Sequence, residues 1–313
     1  MMKYKDWIKE WLENYVQPSL KQRTYTRYAE IVWGHIIPTL GEYDIEEITA
    51  LKLQRYTKEL LQKGNKRTGK GLSANSVNGI ITVVQTSLKT AFKLGIVKEY
   101  AGDRIRRPKV QEKQVTCFTK QEQRAIEQEI FRRNKPKLYG IIISLYTGIR
   151  LGELLALKWA DIDVTRGAMT INKTCYDGRD KTGRYVRITE SPKTNSSIRE
   201  VPVPKQLLML MKAWKKKSYS KYVVSNGEGG VSLRGYQRIF ERLLNRIKIP
   251  HKGFHALRHT FATRALECGM DVKTLSEILG HKNTNITLNR YVHSLIEHKR
   301  EMMNRVGRLI SEL

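Results

Sequence analysis

Positive charge runs through the whole of this chain. Of its 313 residues, 58 are Lys or Arg and 30 are Asp or Glu, a formal net charge of +28. Residues 1–115 hold 21 basic and 12 acidic residues, a net of +9; the remainder holds 37 and 18, a net of +19. A chain with that balance in both halves has to fold with its cations turned outward against a polyanion, either nucleic acid or an anionic membrane surface. The spread favours two lobes gripping one ligand over a basic arm hung on a neutral body. Hydrophobic residues make up 40%, enough to build cores, and the length suits two domains.

Several classes fall away. The start, MMKYKDWIKEWLENYV, is amphipathic and charged, unlike a secretory signal. The longest apolar run, around Ile141 to Leu145, is far too short to span a bilayer. Cys117, Cys175 and Cys268 form neither a disulfide framework nor a zinc knuckle, which points to a reducing compartment, the cytoplasm. A DNA- or RNA-binding protein is what remains.

The first stretch reads as helical. Trp7, Ile8, Trp11, Leu12 and Tyr15 recur at helical spacing over residues 3–16. A second helix is expected over about Thr24 to Trp33, with Pro38 and Gly41 as breakers, a third after Thr49, and a fourth from the N-cap Ser73 to Gly95. The loop KGNKRTGKG suits a solvated connection or a contact to backbone phosphates equally well. The segment RIRRPKVQEKQV, with Pro108, reads as an extended linker, and Thr119 to Glu122 makes a capping box that opens a new helix. A buried helix is expected around LYGIIISLYTG. Strand-like stretches follow in GAMTINKTCY, RYVRITE and IREVPVP, separated by the turn signals Asp177-Gly178 and Lys193-Thr194-Asn195. Helical patterns then run to the C-terminus. The expected fold class is mainly α with a small β-sheet (α+β): residues 1–107 a helical domain, 108–116 a basic linker, 117–313 a mixed α/β domain.

Three clusters could carry chemistry. In TGIRLGELLALKW, Arg150 precedes Glu153 by three residues. In HALRHTFAT, His255, Arg258 and His259 share one face of a helix. In LGHKNTNITLNRYVH, His281 lies ten residues before Tyr291. The pair His255 and His259 has zinc-ligand spacing, but Ala256 stands where a metalloprotease needs glutamate, and Arg258 would repel a cation. Nucleotide-binding glycine loops, a serine-hydrolase elbow and clustered metal-binding carboxylates are absent from the sequence. Phosphoryl chemistry here would have to use Arg and His donors, a protein nucleophile and a proton donor for the leaving oxygen.

TGIRLGELLALKW, FHALRHTFAT, LGHKN and the later Tyr291 closely resemble, in order and spacing, the signature boxes of the tyrosine recombinase (phage integrase) family. The layout of the whole chain is similar to that family, and the chain looks most like integrases of phages and conjugative transposons of Gram-positive bacteria. The resemblance implies a helical core-DNA-binding domain and a catalytic domain that together clamp duplex DNA. It implies that Tyr291 attacks the scissile phosphate to give a 3′-phosphotyrosyl link. Arg150, Arg258 and His281 would bind its oxygens, His255 would act as general base on the tyrosine, and Lys193 would protonate the departing 5′-oxygen, though Lys173 and Lys181 lie in the same region. Glu153 would support Arg150, and His259 would pack structurally. No metal and no cofactor are implied.

Four protomers would assemble on two core sites and pass through a Holliday junction, coupled by docking of the C-terminal tail (Leu295, Met302, Met303, Val306, Leu309 and Ile310) on a neighbour. An accessory bending or directionality protein could join them, and no membrane partner is expected. The protein would act in the bacterial cytoplasm, on the nucleoid when bound. Many such integrases carry a further N-terminal domain for distant arm sites, whereas this chain begins directly with the core-binding pattern. Candidate DNA contacts are Lys66, Arg67 and Lys70 in the basic loop, Asn75, Asn78, Gln85 and Lys89 on the helix after Ser73, and Arg106 and Arg107 beyond it; Asn and Gln can read adenine edges. Alternatives are a Xer-like dimer resolvase, a type IB topoisomerase-like enzyme and a non-catalytic regulator. The regulator reading expects loss of Arg150, Arg258 or Tyr291, and all three are present.

Overall fold

Side-chain caps set the helix starts. Thr49, Ser73, Thr119, Ser232 and Asp271 each accept a backbone N–H from the first turn of the helix they precede, satisfying donors that a helix leaves unpaired. The computed structural model describes residues 2–111, 116–179, 184–191, 198–227, 229–281, 283–285, 300, 303–304, 306–308 and 310. Two units emerge, residues 1–113 and 114–313.

The first unit is helical: α1 (Tyr4–Trp11), α2 (Gln22–Ile31), α3 (Ile37–Leu40), α4 (Ala50–Lys63) and α5 (Ala74–Lys93). The helices expected over 3–16 and about Thr24 to Trp33 each run on through one wider π-type turn, over 12–16 and 32–36. Pro38 does not break the chain, because it sits in the first turn of α3, where its missing N–H costs nothing. Along α5, Val77, Ile80, Ile81, Val84 and Leu88 form the buried stripe, which packs with Trp7, Ile8, Trp11, Leu53 and Leu60. Each such side chain contributes about 1.5–3 kcal/mol on burial. One polar pair lies inside this core, Tyr4 Oη and Ser87 Oγ at 2.7 Å.

The start of RIRRPKVQEKQV is not an extended linker. Ile105 is buried, the Arg106 backbone exchanges two hydrogen bonds with the Gln54 amide, and the Asn78 amide donates to the Pro108 carbonyl at 3.1 Å. The segment stays on the first unit because α4 and α5 offer side-chain amides to its backbone.

The second unit opens with α6 (Lys120–Arg133), the buried α7 (Pro136–Thr147) and the short α8 (Leu151–Ala156). A three-stranded antiparallel sheet follows in the order β1 (Ile162–Asp163), β2 (Ala168–Ile171) and β5 (Arg199–Pro202), with Met169 opposite Val201 and Ile171 opposite Arg199. Strands β3 (Thr174–Arg179) and β4 (Tyr185–Glu190) pair separately. The Asp177-Gly178 turn expected from the sequence does not form: both residues lie inside β3, opposite Arg187 and Val186. Asp177 instead turns its carboxylate to the backbone N–H groups of Leu233 and Arg234 at 2.9 and 3.0 Å. It thus caps the helix at Leu233, and that competing use outweighs the local turn preference. Lys193-Thr194-Asn195 lies outside the described residues. The unit continues with α9 (Lys205–Lys216), a short β6–β7 pair (Ser225–Asn226 and Gly229–Gly230), α10 (Leu233–Arg246), α11 (His255–Glu267) and α12 (Val272–Leu279). No described helix is long and apolar enough to cross a membrane.

Ser87→Ala strands the buried Tyr4 hydroxyl, so the unfolding free energy measured by denaturant titration should fall by about 1–3 kcal/mol. Adding Tyr4→Phe should recover part of that loss, because the hydroxyl left unpaired is then gone as well.

Candidate active site

The site is assembled at the end of α12. A helix leaves its last carbonyls without intrahelical donors, and its dipole makes that end negative. Gly280 ends α12 in the left-handed region (φ 64°), which glycine enters without a Cβ penalty. Three arginines from three other segments then meet three consecutive carbonyls. Arg199 of β5 donates from Nε to Ile278 O at 2.6 Å, Arg258 of α11 from Nη2 to Leu279 O at 2.8 Å, and Arg150 from Nη2 to Gly280 O at 2.9 Å. His281 is the next residue, with its backbone N–H on Ser276 O at 3.0 Å.

Arg150 reaches this point because α7 also ends on a left-handed glycine, Gly148 (φ 64°), which turns the chain into α8. The Arg150 backbone N–H donates to Glu153 Oε2 at 2.9 Å, and its Nη1 donates to Oε1 at 2.8 Å. The Gly148 carbonyl takes a second bond from Arg258, Nη1 at 2.8 Å. Arg258 therefore ties the end of α7 to the end of α12.

Among the described residues, Glu153 is the acid that pairs with these cations, and it is shared. Arg199 forks onto it, Nη2 to Oε2 at 2.9 Å and Nη1 to Oε1 at 3.2 Å, with both side chains under 10% exposed. Burial acts to raise the Glu153 carboxyl; the hydrogen bonds and charge of Arg199, with the charge and backbone N–H of Arg150, outweigh it and hold the group below the usual carboxylate range. Arg150 keeps 37% of its side chain exposed. A guanidinium carries five N–H donors, so bonds to Glu153 and Gly280 leave Arg150 donors for an anionic ligand, whereas Arg258 is 2% exposed and held within the fold.

His255 and His259 stack edge to face at the start of α11, ring centroids 4.6 Å apart; His255 is exposed and His259 half-buried. The loop before them is fixed by Lys252, whose ammonium donates to Glu122 Oε2 at 2.6 Å, Oε1 at 2.8 Å and Cys117 O at 3.0 Å. Glu122 also closes the capping box of α6, so one carboxylate anchors both segments. Of the sequence candidates, the structure brings Arg150, Glu153, Arg258 and the His281 backbone together. The assignments to Tyr291 and Lys193 lie outside the described residues. Sequence reasoning passed over Arg199 and Lys252. A signal for Arg199 was present: it shares the inward face of IREVPVP with Val201 and Val203, a position where an arginine needs a buried partner.

In the first unit, Lys66, Arg67, Lys70, Asn75, Lys89, Arg106 and Arg107 are exposed and Asn78 is half-buried. Asn65 shapes the basic loop by accepting the N–H groups of Arg67 and Thr68 at 3.1 and 3.3 Å. Gln85 donates to Gly102 O at 2.6 Å and accepts from Arg107, whose Nη1 also donates to Thr82 Oγ1 at 3.2 Å.

Residues 104–298 match the phage integrase family, and residues 3–61 match the phage integrase N-terminal SAM-like domain. The chain belongs to the phage integrase family. It is 28% identical, over 94% of its length and 80% of the relative's, to the tyrosine recombinase XerC-like protein of Caldanaerobacter subterraneus subsp. tengcongensis. The ICEBs1 integrase of Bacillus subtilis is 25% identical, over 93% of this chain and 79% of that protein. A solved structure of the Tn1549 transposon integrase in complex with a circular intermediate DNA superposes with a TM-score of 0.80 at 19% identity, covering 98% of this chain and 100% of that one. That likeness shows the fold. Membership of the family makes the chain a DNA strand-transferring enzyme of the tyrosine recombinase type, acting in site-specific recombination.

Stability held by a carboxyl whose value is depressed on folding is present in full above the unfolded-state value and is lost as pH falls through the folded one. Glu153→Gln should therefore destabilise the protein by about 3–5 kcal/mol near neutral pH. The gap in melting temperature between variant and wild type should narrow as the pH is lowered from about 5.

Proposed function

We propose that the chain integrates or excises a mobile element by cutting and rejoining DNA through a phosphotyrosine on Tyr291, without metal or ATP. The observation that carries this reading is the convergence of Arg150, Glu153 and Arg258 on the turn that leads into His281. In the proposed step the Tyr291 oxygen attacks the scissile phosphorus and gives its proton to His255. The bond from phosphorus to the 5′-oxygen breaks, and Lys193 protonates that oxygen. Tyrosine needs this help, since its unaided pKa is near 10. Arg150 offers its outward donors to the non-bridging oxygens bidentately. Arg258, enclosed and anchored on Gly148 and Leu279, backs the same surface, and His281 adds a donor. The phosphotyrosyl ester retains the energy of the broken bond, so a 5′-hydroxyl can attack it in the reverse sense to reseal the strand.

Both units are basic, and both are assigned to duplex DNA: the exposed Lys66, Arg67, Lys70, Arg106 and Arg107 to backbone phosphates, and Asn75 and Lys89 to the groove, whereas the Asn78 amide is spent on the Pro108 carbonyl within the fold. The solved Tn1549 integrase complex holds a circular intermediate DNA, and core recombination sites are the proposed substrate here. Two exchanges through a Holliday junction call for a tetramer. The exposed Met303, Val306 and Ile310 near the C-terminus support docking of the tail on a neighbouring protomer. An accessory bending or directionality protein and a cytoplasmic setting complete the proposal.

The test starts from DNA sites selected out of a random pool and nicked near their centres to trap the cleaved state. An adduct mapped to Tyr291 by peptide mass spectrometry, formed in EDTA and lost in Tyr291→Phe, is the expected result. Tight binding with no adduct would support the regulator reading, and an adduct elsewhere would overturn the assignment. Arg150→Lys should bind the selected site with an affinity close to that of wild type and cleave it about 10²–10³-fold more slowly. Binding itself should weaken steeply with added salt.

A further inference from the structure

Arg199 takes no part in the chemistry above, yet its Nε, Nη1 and Nη2 are all committed behind it. It lies on the inward face of β5, opposite Ile171 and two residues from the buried Val201, with 7% of its side chain exposed. From there its guanidinium forks onto both oxygens of Glu153 and donates through Nε to the Ile278 carbonyl. Gly280 leaves it room: a Cβ there would stand 2.9 Å from Arg199 Nη1. A buried ion pair is a weak source of stability, since an apolar pair of the same volume often does as well or better. What this pair supplies is geometry. It fixes the carboxylate that holds Arg150, and it fixes the carbonyl three residues before His281.

We propose that Arg199 is a positioning residue for strand transfer, holding Arg150, through Glu153, at a set spacing from the 278–281 turn. Arg150 faces the phosphate with its outer donors while its inner ones are spent on Glu153 and Gly280. Without Arg199, the Glu153 carboxylate has Arg150 as its remaining guanidinium partner and draws it inward. The Ile278 carbonyl loses the Arg199 donor at the same time. Lysine does not reproduce this, because a point-like ammonium lacks the rigid plane that sets Nη1 and Nη2 on the Glu153 carboxylate while Nε holds the Ile278 carbonyl at a fixed separation.

This inference rests on the strand-transfer reading, and its test has one arm that does not. The full chain is compared with Arg199→Met, Arg199→Lys and Val201→Ala, the last removing buried volume from the same strand without touching a polar contact. On the nicked duplex at saturating protein, adduct formation should slow about a hundredfold in both Arg199 variants, the scale of an ångström misplacement. Their Kd for the duplex should stay within about threefold of wild type. Val201→Ala should lower the melting temperature and leave the adduct rate near that of wild type. In the arm without DNA, amide hydrogen exchange of peptides covering 276–281 should quicken about tenfold in Arg199→Met and stay unchanged in Val201→Ala.

Equal slowing in Val201→Ala, full activity in Arg199→Lys, or unchanged exchange at 276–281 in Arg199→Met would each overturn the proposal. If wild type forms no adduct, the strand-transfer reading fails, and the exchange arm still decides whether Arg199 fixes the turn.

Discussion

Helix α12 ends with its carbonyls turned away from any partner of its own, and the second unit is organised around meeting them. Arg199, Arg258 and Arg150 arrive from a strand, a helix and an interhelical turn to donate to residues 278, 279 and 280 in succession. Bringing three guanidiniums to one place is unfavourable on charge alone. The negative end of the helix and the carboxylate of Glu153 offset that repulsion. The result is a cationic site whose members are spaced by backbone atoms rather than by mobile side chains.

The same arrangement explains the two glycines at the site. Gly148 and Gly280 both take positive φ, and each closes a helix whose neighbouring carbonyl is given to an arginine. One turn delivers Arg150 and the other delivers His281. Arg258 bridges them, which accounts for its burial: it is a tie between the two turns as much as a cation. Arg150 is the contrasting case, with inner donors committed and outer ones facing solvent. Enclosure and exposure thus divide the arginines into those held within the fold and the one that keeps donors toward solvent.

Much of this architecture could be read from the residues. Thr49, Ser73 and Thr119 announced helix starts because capping is local chemistry, decided within three residues. The α+β class followed from helical spacing in the first unit and alternating stretches after it. Where the reading failed, a partner distant in sequence intervened. Asp177-Gly178 has turn composition, but the Asp177 carboxylate is taken by the first turn of α10, some 56 residues later. The Arg106 backbone, read as linker, exchanges two bonds with Gln54. Arg199 looked like one more basic residue in a chain with 58 of them; only its place beside Val201 and Val203 on the inward face hinted at a buried role.

What the sequence determined by itself was the family boxes, the caps, the breakers and the excess of positive charge, since each depends on residue type and short-range spacing. The boxes around Arg150, Arg258 and His281 were legible for that reason, and so was the family they belong to. The tertiary structure decided how those boxes face one another: that Glu153 serves two arginines, that three guanidiniums share one helix end, and that Lys252 and Glu122 pin the loop before His255. These are contacts between segments separated by up to 130 residues. No local pattern encodes them, because they exist only once burial has brought the segments together and removed water as the alternative partner.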